Sequence, residues 1–269
     1  MNLRKIILAL SLIITVTETF AQNRIVSLAP SLTKMIYLLE ANNKLVGCTS
    51  YCEIAKTDKV SVVASAMEVN LEKVYISKPD LVVATSLTKP ATVEAIEKLG
   101  IKVIVLPTPK SYNEICNQLL EIAKPLGKQA MANQIIDKQN SRLEQLKQSV
   151  PKSRKPDVFF EIGAKPLFTV IPNTFMDDYI TFSGAENIAS DLKTGTITRE
   201  TVLTRNPDFI FIVTMGIVGT EEKTTWEKYT NITASKNHKI FIIDSYKACS
   251  PNPVTFVDVV EQLITLMYR

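Results

Sequence analysis

The chain contains one histidine, one tryptophan and eight glycines in 269 residues. A single histidine, His238 in the polar run Lys-Asn-His-Lys, excludes a metal centre built from several imidazoles. It leaves a Ser-His-Asp relay unsupported as well, because no Gly-x-Ser-x-Gly turn occurs. His238 reads instead as an exposed turn residue. Glycine is too sparse for Gly-x-Gly-x-x-Gly, and no Walker-type phosphate loop is present, so nucleotide binding has no local basis. Basic residues are not clustered among aromatics and the net charge is only +4, which argues against a nucleic-acid partner. The four cysteines, Cys48, Cys52, Cys116 and Cys249, lack the paired Cys-x-x-Cys spacing of a structural zinc site. Hydrophobic residues make up 46% and charged residues 22%, a composition suited to a globular protein with a sizeable core.

The N-terminus has the layout of a secretory signal. Arg4 and Lys5 precede an apolar stretch at 6–16, and Thr19-Phe20-Ala21 offers a small-x-small cleavage site. The apolar stretch is short for a spanning helix. No cysteine follows at a lipidation position, so the expectation is a cleaved segment at 1–21 and a soluble, exported protein. Export permits disulfides, and four cysteines allow three full pairings. Cys48 and Cys52 are separated by a loop-like Thr-Ser-Tyr, whereas Cys116 sits in an apolar helical pattern and reads as a small buried hydrophobe.

One motif occurs twice. Glu72-Lys73-Val74 runs to Lys78-Pro79-Asp80 and then to Leu81-Val82-Val83-Ala84. Glu200-Thr201-Val202 runs to Asn206-Pro207-Asp208 and then to Phe209-Ile210-Phe211-Ile212-Val213. Glu, Val and Pro-Asp keep the same spacing in both. Each copy reads as a short helix stopped before proline and followed by a buried strand. Asn70 and Thr198 are candidate N-caps. The duplication implies two similar lobes with Glu72 and Glu200 at equivalent places.

Strand and helix alternate on either side of the chain's middle, which predicts an α/β protein with parallel-rich sheets. The predicted strands include 24–28, 81–84 and 102–106 in the first half, and 157–162, 209–214 and 239–243 in the second. Residues 127–150 differ, with no internal glycine or proline and apolar residues at helical spacing. A helix of that length spans about 35 Å. It suits a rigid connector between an N-terminal lobe at 22–126 and a C-terminal lobe at 151–269, and equally an ordinary amphipathic domain helix.

Further runs complete an ordered set: Arg-Ile-Val-Ser-Leu-Ala-Pro-Ser-Leu-Thr at 24–33, Val-Gly-Cys-Thr-Ser-Tyr-Cys at 46–52, Pro-Leu-Phe-Thr at 166–169 and Gly-Ala-Glu-Asn-Ile at 184–188. With the duplicated motif, this set resembles the solute-binding proteins of ABC importers that include vitamin B12-binding proteins and iron–siderophore and haem receptors. The resemblance covers essentially the whole chain after the signal. It implies two Rossmann-like lobes joined by a single long backbone helix, ligand in the cleft, a periplasmic location and no catalytic residues.

It also implies that Glu72 and Glu200 dock onto arginines of a permease dimer in the inner membrane. On the residues alone, both would equally suit helix N-terminal acids favoured by the macrodipole. The cleft residues implied are Ser31, Tyr51, Phe168, Asp244 and Tyr246, the aromatics having core packing as their alternative. The transported ligand implied is a corrinoid, with an iron chelate or haem as the alternative and no resident cofactor or metal. An exported enzyme on the same lobes is the remote alternative. Ala66, Thr85 and Thr194 stand where cobalamin-binding relatives carry tryptophans, and the lone Trp226 lies elsewhere. Lys247 and Ala248 replace an acidic and a basic residue, and Lys34 replaces a glutamate at the cleft rim. Cys52 and Cys249 are expected on cleft-facing loops as free thiols, with a bond between the two, or thiolate coordination of a bound metal, as the alternatives.

Overall fold

The computed structural model describes residues 24–65, 68–152, 154–213 and 219–269. The expected signal segment and Ala66 lie outside these residues.

The first half builds a five-stranded sheet in the order β3-β2-β1-β4-β5, from β1 (Ile25–Ser27), β2 (Leu45–Thr49), β3 (Val62–Ala64), β4 (Leu81–Thr85) and β5 (Lys102–Leu106). Every neighbouring pair is parallel. The crossovers carry helices α1 (Pro30–Leu38), α2 (Glu53–Thr57), α3 (Leu71–Ile76) and α4 (Pro90–Lys98). Interior β4 is buried along its whole length, as expected of a strand covered on both faces.

Helices α5 (Tyr112–Leu126) and α6 (Gln129–Ser149) follow. The long helix therefore starts two residues later than the expected 127. Gly127 instead ends α5 in a left-handed conformation, φ 67°, and the Lys128 amide returns to the Ala123 carbonyl. That is a Schellman-type stop, which glycine alone enters without a Cβ penalty. At 21 residues, α6 spans about 32 Å.

The second half forms another sheet, β10-β9-β6-β7, with β8 added beside β6. Its strands are β6 (Asp157–Ala164), β7 (Leu167–Thr169), β8 (Glu186–Asn187), β9 (Phe209–Ile212) and β10 (Ile240–Ile242). Only β7 is antiparallel to its neighbour. The helices are α7 (Phe175–Phe182), α8 (Arg199–Arg205), α9 (Gly219–Glu227), α10 (Thr233–Lys236), α11 (Ser245–Ala248) and α12 (Pro253–Tyr268).

The long helix is not a lone strut. One apolar core joins Ile25 and Leu81 of the first sheet, Phe160 and Phe211 of the second, and the inner faces of α5, α6 and α12. Arg142 of α6 pairs with Asp258 at 2.6 Å and with Glu261, both on α12. Gly184, φ 78°, closes α7 where α6 ends: a Cβ there would stand 2.3 Å from Val150. Separate apolar clusters back the outer faces, around Val74 and Ile96 in the first lobe and around Trp226 and Val202 in the second. The result is a mixed α/β fold of two parallel-rich lobes on a shared helical layer.

Candidate ligand-binding cleft

In a parallel sheet the chain leaves every strand at the same edge, and ligands collect there where the strand order reverses. All five expected cleft residues fall at such edges. Ser31 follows β1, Tyr51 follows β2, Phe168 pairs with Gly163 at the end of β6, and Asp244 and Tyr246 follow β10. Tyr51 is 56% exposed and Phe168 38%, so both rings are free to meet a ligand. The backbone makes room for Phe168: a Cβ on Gly195 would stand 3.1 Å from its ring and 2.9 Å from the Thr169 carbonyl. Asp244 is exposed and caps α11, accepting the Tyr246 amide at 2.8 Å. Ser31 is half-buried in the first turn of α1.

Tyr246 is placed differently from a free stacking surface. Its ring is half-buried, beside Cys52 and the Ile54 amide, and burial pushes its phenol up. The Lys34 ammonium stands 3.4 Å from its ring centroid. Lys34 is no rim charge. It is buried, donates to the carbonyls of Tyr246 and Ser250, and is lowered to about 8 by that burial, against the opposing pull of Asp244. Cys52 is a further correction: it faces the interior and is fully buried. Its sulfur lies 3.0 Å from the Thr33 hydroxyl and 3.2 Å from that of Thr49. Hydrogen bonding from Cys48 pulls the Cys52 thiol down, while Cys48 is pushed up. All four thiols are free.

Glu72 and Glu200 are exposed in the first turns of α3 and α8, behind Asn70 and Thr198, whose side chains accept the Lys73 and Thr201 amides. Both helices start at the cleft edge. The Asn70 amide donates to Val63 near the end of β3, and the Ile197 amide to Leu167 at the start of β7. Glu200 is held below the usual carboxylate range by its own amide and the Thr198 hydroxyl.

Leu87, 82% exposed in the loop after β4, lies at the same carboxyl edge of the first sheet, and strand and helix periodicity passes over it. Its signal is an isolated leucine between Thr85-Ser86 and Thr88. Thr85 is buried at the end of β4 and Thr194 is exposed near Phe168. Trp226 is buried in α9 and donates to Glu161 at 2.6 Å. Two concavities of about 500 and 300 Å³ open at the opposite edge of the second sheet. Both arginines that line them are already paired, Arg154 with Asp157 and Arg205 with Asp191 at 2.6 Å, and neither concavity touches an expected cleft residue. Among the described residues no cluster of metal-ligating side chains occurs, and no helix is long and apolar enough to cross a membrane. His238 is exposed in a turn.

The periplasmic binding protein family profile matches residues 25–247. The chain belongs to this family. It is 30% identical over 256 residues to YvrC of Bacillus subtilis, an ABC transporter substrate-binding lipoprotein, covering 91% of this chain and 80% of that one. It is 28% identical over 196 residues to the vitamin B12-binding protein of Yersinia pestis, covering 71% and 70%. A possible iron-binding periplasmic solute-binding protein of Staphylococcus epidermidis superposes with TM-score 0.80 at 26% identity, covering 93% of this chain and 100% of the other. The chain is thus an ABC transporter substrate-binding protein, and such proteins work with membrane permease and ATPase components.

Proposed function

We propose that this periplasmic binding protein, exported to the periplasm through a cleaved segment at 1–21, captures a corrinoid in the cleft and hands it to a permease dimer. The observation that carries the reading is the pair of exposed rings, Tyr51 and Phe168, at the carboxyl edges of the two sheets. Aromatic side chains offer a flat macrocycle broad contact area with few rotatable bonds. The similarity to a vitamin B12-binding protein supports the same ligand class. Ser31 and Asp244 would supply polar contacts, and Tyr246 one ring edge. Glu72 and Glu200, exposed beside the cleft mouth on both lobes, would meet a two-fold partner and orient it. The lobes would be 22–126 and 151–269, with 127–150 as connector. Capture and release of solute is the role of this family, and no catalytic step is assigned.

The second reading is a haem or iron–siderophore receptor. Thr85 and Thr194 in place of tryptophans favour it, and so does the exposed phenol of Tyr51, an oxygen ligand of the type iron accepts in some haem proteins. The absorption spectrum of protein purified from its native host separates the readings, since a corrin, a Soret band and a ferric charge-transfer band are distinct. Calorimetric titration with cobalamin, cobinamide, haemin and a ferric siderophore then measures affinity. Corrinoid binding weakened by Phe168→Ala is the expected result, and no binding of any of the four sinks both readings.

A further inference from the structure

Helix α11 is one turn long, so most of its carbonyls lack partners within the helix. The Asp244 and Ser245 carbonyls accept the Ala248 and Cys249 amides. Groups from outside meet two of the others and the carbonyl of Ser250 beyond them. The Tyr179 hydroxyl donates to the Ala248 carbonyl at 3.1 Å, and the Lys34 ammonium donates to the Tyr246 carbonyl and, at 3.1 Å, to that of Ser250. Lys34 belongs to α1, in the other lobe. A cation at the carboxyl end of a helix is favoured by the orphan carbonyls and their dipoles. Its ammonium also lies over the Tyr246 ring, a cation–π contact. Tyr246 reaches the other way, its ring lying beside Cys52 and the Ile54 amide. The contact is reciprocal: each lobe sends one side chain into the other. A buried ammonium is costly unless acceptors surround it, and here two carbonyls and a ring do so.

We propose that Lys34 is a positioning residue for the cleft, an ammonium cap delivered across the lobe boundary that holds α11, with Asp244 and Tyr246, against α1 and so sets the gap the ligand enters. Its effect on binding rests on the cleft being the ligand site; the cap itself does not. The groups facing Lys34 are Asp244, Tyr246, Lys247 and Cys249 from the second lobe and Cys52 from the first. Burial lowers Lys34 to about 8 while it lifts Cys249 to about 11 and raises Tyr246. Between pH 7 and 9, therefore, Lys34 loses its proton before either of these two.

Hydrogen–deuterium exchange of ligand-free protein, read at amides 245–250 and corrected for intrinsic rate, tests the cap. At pH 7, Lys34→Met, which keeps an unbranched stem without charge, is expected to exchange there about tenfold faster than wild type. Raising the pH to 9 should increase the wild-type protection, because opening returns Lys34 to water, where it holds its proton more tightly than in the packed form, so rising pH favours packing. Lys34→Arg should stay protected at both values, because a guanidinium keeps its charge. Equal protection in wild type and Lys34→Met, or a wild-type protection that fails to rise from pH 7 to 9, overturns the cap. Should Lys34→Met not fold, the wild-type pH series and Lys34→Arg decide. Titration with cobinamide and haemin tests the positioning role: Lys34→Met is expected to bind the accepted probe at least several-fold more weakly, and wild-type affinity overturns that role. If neither probe binds wild-type protein, the cleft reading and the positioning role fall, and exchange alone decides the cap.

Discussion

In the first lobe, Asp80 accepts the Arg24 amide at 3.1 Å and returns its own amide to the Arg24 carbonyl at 2.8 Å. In the second lobe, Asp208 makes the same exchange with Asp157, at 2.8 Å in both directions. The repeated Pro-Asp is thus a clip that fastens the start of one strand to the start of its neighbour. The surroundings of the two clips differ. Lys78, the residue before the first proline, is left-handed at φ 43° and relies on Arg24, whose guanidinium reaches the Ser77 and Lys78 carbonyls. Its counterpart Asn206 is left-handed at φ 48°, and its side chain accepts the Thr233 amide at 2.8 Å. On α3, Glu72 shares its face with Tyr75 and Ile76, 59% and 66% exposed, whereas Glu200 has Leu203, which packs on the core, and Thr204.

Beneath α3 the packing is wholly apolar, Val74 against Val26, Val63 and Val82. Beneath α8, Glu161, Trp226, Glu222 and Arg199 form a buried polar group. Both buried carboxylates among the described residues lie in the second lobe. The difference teaches that duplication has kept what sets the backbone and released what fills the space behind it.

The largest expected effect would break the functional half of this comparison. Glu72→Arg and Glu200→Arg should each abolish uptake into cells while leaving ligand affinity unchanged, since each reverses an exposed charge without entering the core. Wild-type import by both variants would remove the docking assignment. Unequal losses would show that the apolar flank of Glu72 matters.

The next effects concern the buried group. Trp226→Phe removes the indole donor from Glu161, whose other oxygen has no partner. Denaturant unfolding should show a loss of about 2–3 kcal/mol at pH 9, the worth of a hydrogen bond to a charged group, and a smaller loss at pH 5. Glu161→Gln should act oppositely. Burial raises this carboxyl from 4.5 to about 8. The folded chain keeps a proton there that the unfolded chain loses above 4.5. Stability from this group is therefore full below 4.5, falls as pH rises to about 8 and is flat beyond. Removing the charge should stabilise the protein at pH 9 by up to about 5 kcal/mol and do little at pH 4. A variant with the wild-type pH dependence would contradict the shift.

The smallest effect sharpens the comparison of the clips. Lys78→Asn should raise stability by about 0.5–1 kcal/mol, because asparagine enters the left-handed region more easily than lysine. Asn206→Lys should lower it by at least as much, through the lost contact to Thr233. Thermal melts of the two variants should move in opposite directions.

Periodicity along the chain suffices where an element's surroundings are regular. The strands at 81–85 and 102–106, the helix at 199–205 and the caps Asn70 and Thr198 all follow from apolar spacing, proline stops and short polar side chains. The motif order likewise carries the family, because loops at strand ends keep their place in sequence when the sheet is parallel. Pieces such as β3, β7, β8 and α11 were too short to leave a period. The strands form because a neighbouring edge pairs with them, and α11 because Asp244 caps it and Tyr179 and Lys34 meet its carbonyls.

Distances between remote residues have no signature in composition. Lys34 and Tyr246 are 212 positions apart, so a lysine that looks like a rim charge becomes a buried cap only when the second lobe brings carbonyls to it. Cys52 looks loop-bound and cleft-facing until Thr33 and Thr49 close over its sulfur. The long helix reads as a free connector until α5 and α12 bury its flanks. Burial and partner choice are sums over segments far apart in the chain, and only the packed structure performs those sums; local periodicity and turn chemistry need nothing beyond a few neighbours, and the chain itself decides them.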